Sequence, residues 1–119
     1  MKEILVSLET AKVLKVKGFN EDVLEHYYDD GSTFMDDLNN SECEHDEYSA
    51  PNLSLAQQWL REVHNIHMGI WYNTLTHKWR LDYLADLLNG NYIDVDSIEM
   101  DTYEQALEAG IKESLKLIK

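Results

Sequence analysis

Three histidines are spaced so that they could hold a metal ion. His64 and His67 form an HxxH pair, and His77 follows a predicted hairpin loop. Imidazole nitrogens are common ligands of transition metals, so the three side chains could converge on zinc. The HxxH pair, however, lies across a change from helical to strand periodicity, and no HExxH motif is present. We therefore expect helix-end or surface histidines, with no metal and no cofactor.

A second candidate pair is Cys43 with His45, in a C-x-H arrangement that could supply a nucleophile and a base. The segment Glu42–Glu47 around them carries four carboxylates. Such a negative field raises the pKa of a thiol, whereas a nucleophilic cysteine needs a lowered pKa. The chain also has no glycine-rich phosphate loop, no nucleophile elbow and no paired CxxC. We predict that the protein is not an enzyme.

The carboxylates Asp94, Asp96, Glu99 and Asp101 are spaced like the ligands of a calcium loop. An EF-hand loop also needs a central glycine for its sharp turn and a terminal bidentate glutamate. Both are missing here. We expect a solvated loop or strand edge instead of a calcium site.

Most of the aromatic residues follow the periodicity of a buried core. Trp71 differs, because it lies on the side of its predicted strand opposite Ile70 and Tyr72. It must therefore be exposed unless a second layer covers that face. An exposed large aromatic side chain often marks a binding surface, so Trp71 is a candidate binding residue.

The formal net charge of the chain is −13, and most of it comes from one stretch. Between Gly18 and Leu60 there are eleven Asp or Glu residues and no Lys or Arg. This charge argues against direct binding to a nucleic-acid backbone or to an anionic membrane. It favours solubility, a cationic partner or mimicry of a polyanion. The acidic candidate contact residues are Asp29, Asp30, Asp36, Asp37, Glu42 and Glu44.

Periodicity and capping residues predict the elements that would position these side chains. The first helix is expected near Ser7–Lys17. The second is expected over Leu53–Asn65, capped by Asn52 or by a Ser54–Gln57 pair. The third is expected to follow a Thr102–Gln105 cap and to continue to the end. Small residues on the last helix, Gly110 among them, predict its close approach to a sheet.

Strands are expected over Ile66–Tyr72, Lys78–Leu84 and Tyr92–Ile98, with Trp79, Leu81 and Tyr83 on one face of the second strand. Val23–Tyr28 and Thr33–Met35 predict a hairpin, for which a helix over Glu21–Tyr28 is the alternative. Residues 36–49 are polar and are expected to form a loop.

At 119 residues the chain is expected to fold as one α+β domain, residues 1–119. We predict an antiparallel sheet of three to five strands packed with three helices, in the order α-β-β-α-β-β-(β)-α. The single cysteine excludes an internal disulfide, and neither a signal peptide nor a membrane span is evident. We therefore expect a cytoplasmic protein that binds no membrane.

Three segments resemble a group of small proteins from gut Bacteroides and their phage-like elements. They are SLETAKVLKVKGF, APNLSLAQQWLREVHNIH and TYEQALEAGIKESLKLIK, which together cover less than half of the chain. The resemblance implies a phage or mobile-element origin but no activity, because the group has no assigned function. We expect an accessory protein that acts by protein–protein binding. The alternative is an acidic DNA mimic that inhibits a host nucleic-acid-binding or defence protein.

Overall fold

The computed structural model describes residues 4–118, without the side chains of residues 95–97. Within this range the chain has an α+β fold with three α-helices and two antiparallel three-stranded sheets, which confirms the predicted fold class. The helices are α1 (Leu8–Val16), α2 (Leu53–His64) and α3 (Tyr103–Leu115). The strands are β1 (Val23–Tyr28), β2 (Thr33–Leu38), β3 (Glu47–Ser49), β4 (Ile66–Asn73), β5 (Lys78–Asp86) and β6 (Asn91–Met100).

The chain divides into two compact units, Met1–Leu55 and Ala56–Lys119. The first unit contains the sheet with strand order β2-β1-β3, and the second contains the sheet with order β4-β5-β6. The strands therefore form two sheets, whereas the sequence predicted one. That the chain is a single domain stays a prediction.

In the first unit, the hairpin of β1 and β2 is confirmed and the alternative helix over Glu21–Tyr28 is wrong. At the turn, the Asp30 carboxylate accepts hydrogen bonds from the backbone N–H and the hydroxyl of Ser32, at 2.9 and 2.6 Å. This is the local bonding that makes Asp a turn residue. Strand β2 continues three residues past the predicted end, to Leu38.

The predicted loop over residues 36–49 is wrong in part, because it contains a 3-10 helix at Asn40–Glu42 and the strand β3. Asn40 is buried and holds this region together. Its side chain donates to the carbonyl of Phe19 at 2.7 Å and accepts from the N–H of Ser49 at 2.9 Å. An edge strand of three residues fixed by a buried amide carries no hydrophobic alternation, so periodicity does not reveal it.

In the second unit, α2 passes into β4 through one residue. Asn65 has a left-handed backbone with φ of 53°, which ends the helix and lets the strand begin at Ile66. The abrupt junction is therefore as the periodicity predicted. At the other end of α2, the Asn52 side chain accepts from the N–H of Leu55 at 2.8 Å. Asn52 is thus the cap, and Ser54 lies inside the helix.

Helix α3 packs on one face of the β4-β5-β6 sheet. The predicted cap is confirmed, since Thr102 and Gln105 form a reciprocal capping box. A Cβ atom on Gly110 would lie 2.8 Å from the sulfur of Met68 and 3.2 Å from a methyl group of Leu81. The helix therefore approaches the sheet as closely as its small residues predicted.

A β-bulge in β5 changes which side chains share a face. Gly69 pairs with Tyr83 but Ile70 pairs with Leu81, so Asp82 has no partner in β4. The extra residue reverses which face of the sheet each later side chain of β5 occupies. The prediction that Tyr83 shares a face with Leu81 is therefore wrong, because Leu81 faces α3 and Tyr83 lies on the opposite face.

Candidate binding surface

The side of the β4-β5-β6 sheet that α3 does not cover carries a row of aromatic and charged side chains. We call it the open face and define it by His67, Gly69, Trp71, Arg80, Tyr83 and Tyr92. Trp71 is 42% exposed and Tyr92 is 69% exposed. The sheet therefore has an accessible aromatic face, and Trp71 lies on it.

Trp71 is covered on one side by its cross-strand neighbour. The two residues are paired across β4 and β5, and the guanidinium carbon of Arg80 lies 5.4 Å from the centre of the Trp71 ring. The Arg80 Nε is 3.7 Å from a carboxylate oxygen of Asp82. A cation that stacks on an indole and meets a carboxylate has few free rotamers. The ring and the guanidinium therefore form one preorganised group.

Glycine at position 69 allows Tyr83 to lie flat on the sheet. A Cβ atom at Gly69 would come closer to the Tyr83 ring than real Cβ atoms do. The Tyr83 ring also stacks on Tyr92, with centroids 5.5 Å apart and planes 17° apart. Tyr83 is thus held between the backbone of β4 and a ring of β6. The sequence did not place Tyr83 on this face, because the bulge at Asp82 has no local signal. It did not identify Arg80 as a site residue either, although alternation along β5 already put Arg80 opposite Trp79 and Leu81.

Carboxylates border the open face. Glu99 pairs with Arg80 across β5 and β6, so Trp71, Arg80 and Glu99 form one row across three strands. The Glu99 carboxylate accepts hydrogen bonds from Asn73 Nδ2 and Thr76 Oγ1, both at 3.1 Å. The row therefore runs from an exposed indole to an anion that is fixed in place.

Three of the acidic candidate residues are engaged in local structure. Asp29 forms an ion pair with Lys12 at 2.9 Å and accepts from the Tyr48 hydroxyl at 3.2 Å. The hydrogen bond from Lys12 lowers the pKa of Asp29, and the hydroxyl of Ser32 lowers that of Asp30. Glu42 belongs to the capping box of the 3-10 helix.

The other three acidic candidates are exposed carboxylates, Asp36 and Asp37 on the edge strand β2 and Glu44 after the 3-10 helix. All six lie in the first unit, and Trp71 lies in the second. The predicted contact residues therefore belong to two different units, each described by itself.

Cys43 has a histidine partner, but it is His26 and not the His45 of the C-x-H arrangement. The Cys43 sulfur is 3.6 Å from His26 Nδ1. His26 Nε2 lies 2.8 Å from the carbonyl of Asp36 and 3.1 Å from that of Val23. Because carbonyls only accept, Nε2 carries the proton and Nδ1 accepts from the thiol. His26 lies on a strand 17 residues earlier, so spacing could not reveal it.

The environment of Cys43 does not activate the thiol. Burial raises the pKa of Cys43, the positive charge of Lys15 lowers it, and Glu47 raises it further. The direction is the one expected from the sequence, but the main cause is burial rather than the acidic neighbours. A thiol with a raised pKa is a poor nucleophile at neutral pH.

The three histidines considered as zinc ligands each have a different local partner. His67 Nε2 is 2.9 Å from the Asn65 side-chain oxygen, and His77 is hydrogen-bonded to the Tyr72 hydroxyl at 3.3 Å. Ring contacts join His64 to Trp59. Among the described residues, no group of three or more His, Cys, Asp or Glu side chains could hold a metal ion.

The calcium-like carboxylates are spread along β6 and the following turn. Asp101 pairs with Lys78 at 3.5 Å, and Glu99 is bonded within the open face. The side chain of Asp96 lies outside the described residues.

Within the described part of the chain, no helix is long and apolar enough to cross a membrane. Comparison of the chain with protein-family models, with curated proteins and with solved structures finds no match.

Proposed function

We propose that the protein is a non-catalytic accessory protein of a phage or mobile element that binds a protein partner through the open face. The observation that carries the proposal is the exposure of Trp71 beside Arg80 on a sheet face that α3 leaves uncovered. Trp, Tyr and Arg are the residues most enriched among binding hot spots. All three types occur together on this face.

The size of the exposed area supports a binding role. An indole side chain buries up to about 250 Å², and Trp71 retains 42% of its accessible area. Removing that area from water would contribute roughly 2 to 3 kcal/mol to an interface. The ring is already fixed by Arg80, so little side-chain entropy is lost on binding.

The charges around the open face favour a protein over a nucleic acid. Aromatic sheet faces also stack the bases of single-stranded RNA, but such surfaces carry a cationic path for the phosphates. Here Arg80 is bordered by Asp82 and Glu99, and Lys78, two residues earlier in β5, is paired with Asp101. A polyanion would be repelled by these bordering carboxylates and by the net charge of −13.

The absence of catalysis is part of the proposal and is supported by the state of the thiol. Cys43 is the single cysteine of the chain, and its raised pKa disfavours the thiolate. We also place the protein in a reducing cytoplasm, where an unpaired thiol is the usual state.

The experiment compares partner capture by matched variants. The wild-type chain, Trp71→Ala and Leu75→Ala would each be immobilised and exposed to a lysate of a gut Bacteroides host. Leu75 is the control because it is 90% exposed on the loop between β4 and β5. Quantitative mass spectrometry should find a protein whose recovery falls at least about tenfold with Trp71→Ala. Leu75→Ala should retain it.

Two results would count against the proposal. The first is equal recovery of every bound protein by the wild type and Trp71→Ala. The second is a partner released by roughly 0.5 M salt and lost from an Asp36→Asn, Asp37→Asn double variant, since salt screens exposed charges. That second result would favour the acidic DNA mimic, which stays a prediction because Asp29, Asp30 and Glu42 are engaged locally.

A further inference from the structure

A cavity of about 210 Å³ lies in the second unit, between the end of α2, the β5–β6 turn and the residues after α3. Its apolar lining comes from Ile66, Leu88, Leu117 and Ile118, and its polar lining includes His64 and Asp86. The cavity is open to solvent beside Leu88, which is 65% exposed, and its volume exceeds the roughly 150 Å³ of an enclosed cavity that binds benzene in an engineered protein. The space is therefore sufficient for a small organic molecule.

Asp86 supplies a buried anion to this cavity. It is 2% exposed, and its two carboxylate oxygens accept from the backbone N–H of Asn89 at 3.3 Å and from Asn89 Nδ2 at 2.7 Å. Buried carboxylates are normally paired with a cation. Among residues 4–118, no Lys or Arg forms an ion pair with Asp86. The carboxylate thus has hydrogen bonds but no counter-charge.

His64 does not supply the missing charge. Its ring packs edge-on against Trp59 at 4.7 Å, and burial lowers its pKa although Asp86 acts in the opposite direction. The imidazole is therefore neutral at neutral pH. Its Nε2 atom is buried and has no hydrogen-bond partner in the part of the chain that the structure describes. With the proton on Nδ1, this nitrogen is a free acceptor.

The two polar groups select the chemistry of the occupant. A primary ammonium group offers three N–H donors and a positive charge, whereas the polar lining from Asp86 and His64 offers acceptors and no counter-charge. A carboxylate ligand would be repelled by Asp86. A structural metal site would need more ligands than this pair, since zinc takes four.

We infer that this cavity binds a small primary amine as its ammonium ion, with the carbon body of the amine against the apolar lining. The binding site is separate from the open face and does not depend on the proposed partner. Benzylamine is a suitable probe, because it joins an ammonium group to one ring. Benzyl alcohol and benzoate have the same ring without the positive charge.

The test titrates benzylamine into the full-length protein and follows the His64 ring signals by NMR. We expect a saturable shift at His64, and binding of benzyl alcohol and benzoate at least about tenfold weaker. Asp86→Asn should weaken benzylamine binding by a similar factor. Asp101→Asn, which removes an exposed carboxylate of the same unit, should leave it unchanged.

Two further variants keep the test decisive if Asp86→Asn does not fold. Leu117→Trp fills the cavity and leaves Asp86 and His64 in place, so it should abolish the shift. Trp71→Ala should retain it, which excludes amine stacking on the open face as the source. The proposal is overturned if benzyl alcohol binds as tightly as benzylamine, if folded Leu117→Trp still binds, or if His64 does not respond.

Discussion

A buried ring of the first sheet and two exposed rings of the second differ in how much surface they leave for a partner. In the first sheet, His26 is fully buried and its ring stacks on Phe34. Both ring nitrogens of His26 have partners within the chain. In the second sheet, Trp71 and Tyr92 reach solvent. The units also differ in charge, with thirteen acidic and four basic residues in the first and ten and six in the second.

This difference bears on which side chains are free to contact a partner. The acidic stretch dominates the net charge, yet several of its carboxylates cap turns or pair with Lys12. A group that already bonds within its own chain must break those bonds to meet a partner. The aromatic groups of the open face bond only weakly and keep accessible area, so they are better suited to binding.

The largest expected effect compares a side chain buried under α3 in the second sheet with an exposed side chain of the first sheet. Leu81 is fully buried under α3, and Leu81→Ala should lower the free energy of unfolding by about 2 to 5 kcal/mol. Met35→Ala on the first sheet removes a side chain that is 67% exposed and should cost less than about 1 kcal/mol. Urea denaturation measures both. Similar losses of unfolding free energy in the two variants would mean that Leu81 is no better packed under α3 than Met35 is on the first sheet.

An intermediate effect tests whether the open face is rigid. In Gly69→Ala the new methyl group collides with the Tyr83 ring, which must move away from β4. We expect a loss of about 1 to 3 kcal/mol in the free energy of unfolding, which is typical of overpacking. In the Tyr83→Ala background the same change should cost much less. An equal cost in both backgrounds would show that Tyr83 does not lie on Gly69.

Much of the fold follows from local sequence signals. The capping residues Thr102 and Gln105 predict the start of α3, and Gly110 predicts its close packing on the sheet. The alternation of side chains after Ile66 predicts β4. Each of these features depends on residues within one or two turns of each other. Local chemistry of this kind can be inferred without knowing the rest of the chain.

The features that the sequence did not reveal depend on distant residues. The bulge at Asp82 exists because β4 and β5 pair in a register that neither strand encodes alone, and it moves Tyr83 to the open face. Cys43 meets His26 because β1 places the imidazole beside a loop 17 residues later. The cavity at Asp86 joins three segments of the second unit. The faces of Trp71 and Arg80 could be predicted in advance, because each was fixed by alternation within one strand.

The smallest expected effect tests whether the acidic stretch is compensated locally. Lys12 lowers the pKa of Asp29 mainly through its hydrogen bond, so Lys12→Met should raise that pKa toward its ordinary value. A carboxylate with a lowered pKa stabilises the fold above its ordinary pKa, and this stabilisation is lost as the pH falls through the lowered value. In Lys12→Met the free energy of unfolding should therefore fall slightly less steeply as the pH is lowered. The difference should be small, because the Lys12–Asp29 pair is exposed.

NMR titration of the Asp29 carboxyl carbon measures this shift, and Lys17→Met serves as the control because Asp29 receives no influence from Lys17. An unchanged Asp29 pKa in Lys12→Met would mean that the carboxylate is not held by Lys12. Asp29 would then be as available to a partner as Asp36 and Asp37, and the contrast between a compensated acidic unit and an accessible aromatic face would weaken. A raised Asp29 pKa in Lys12→Met would strengthen this contrast, since it would show that the Asp29 carboxylate is paired within its own unit.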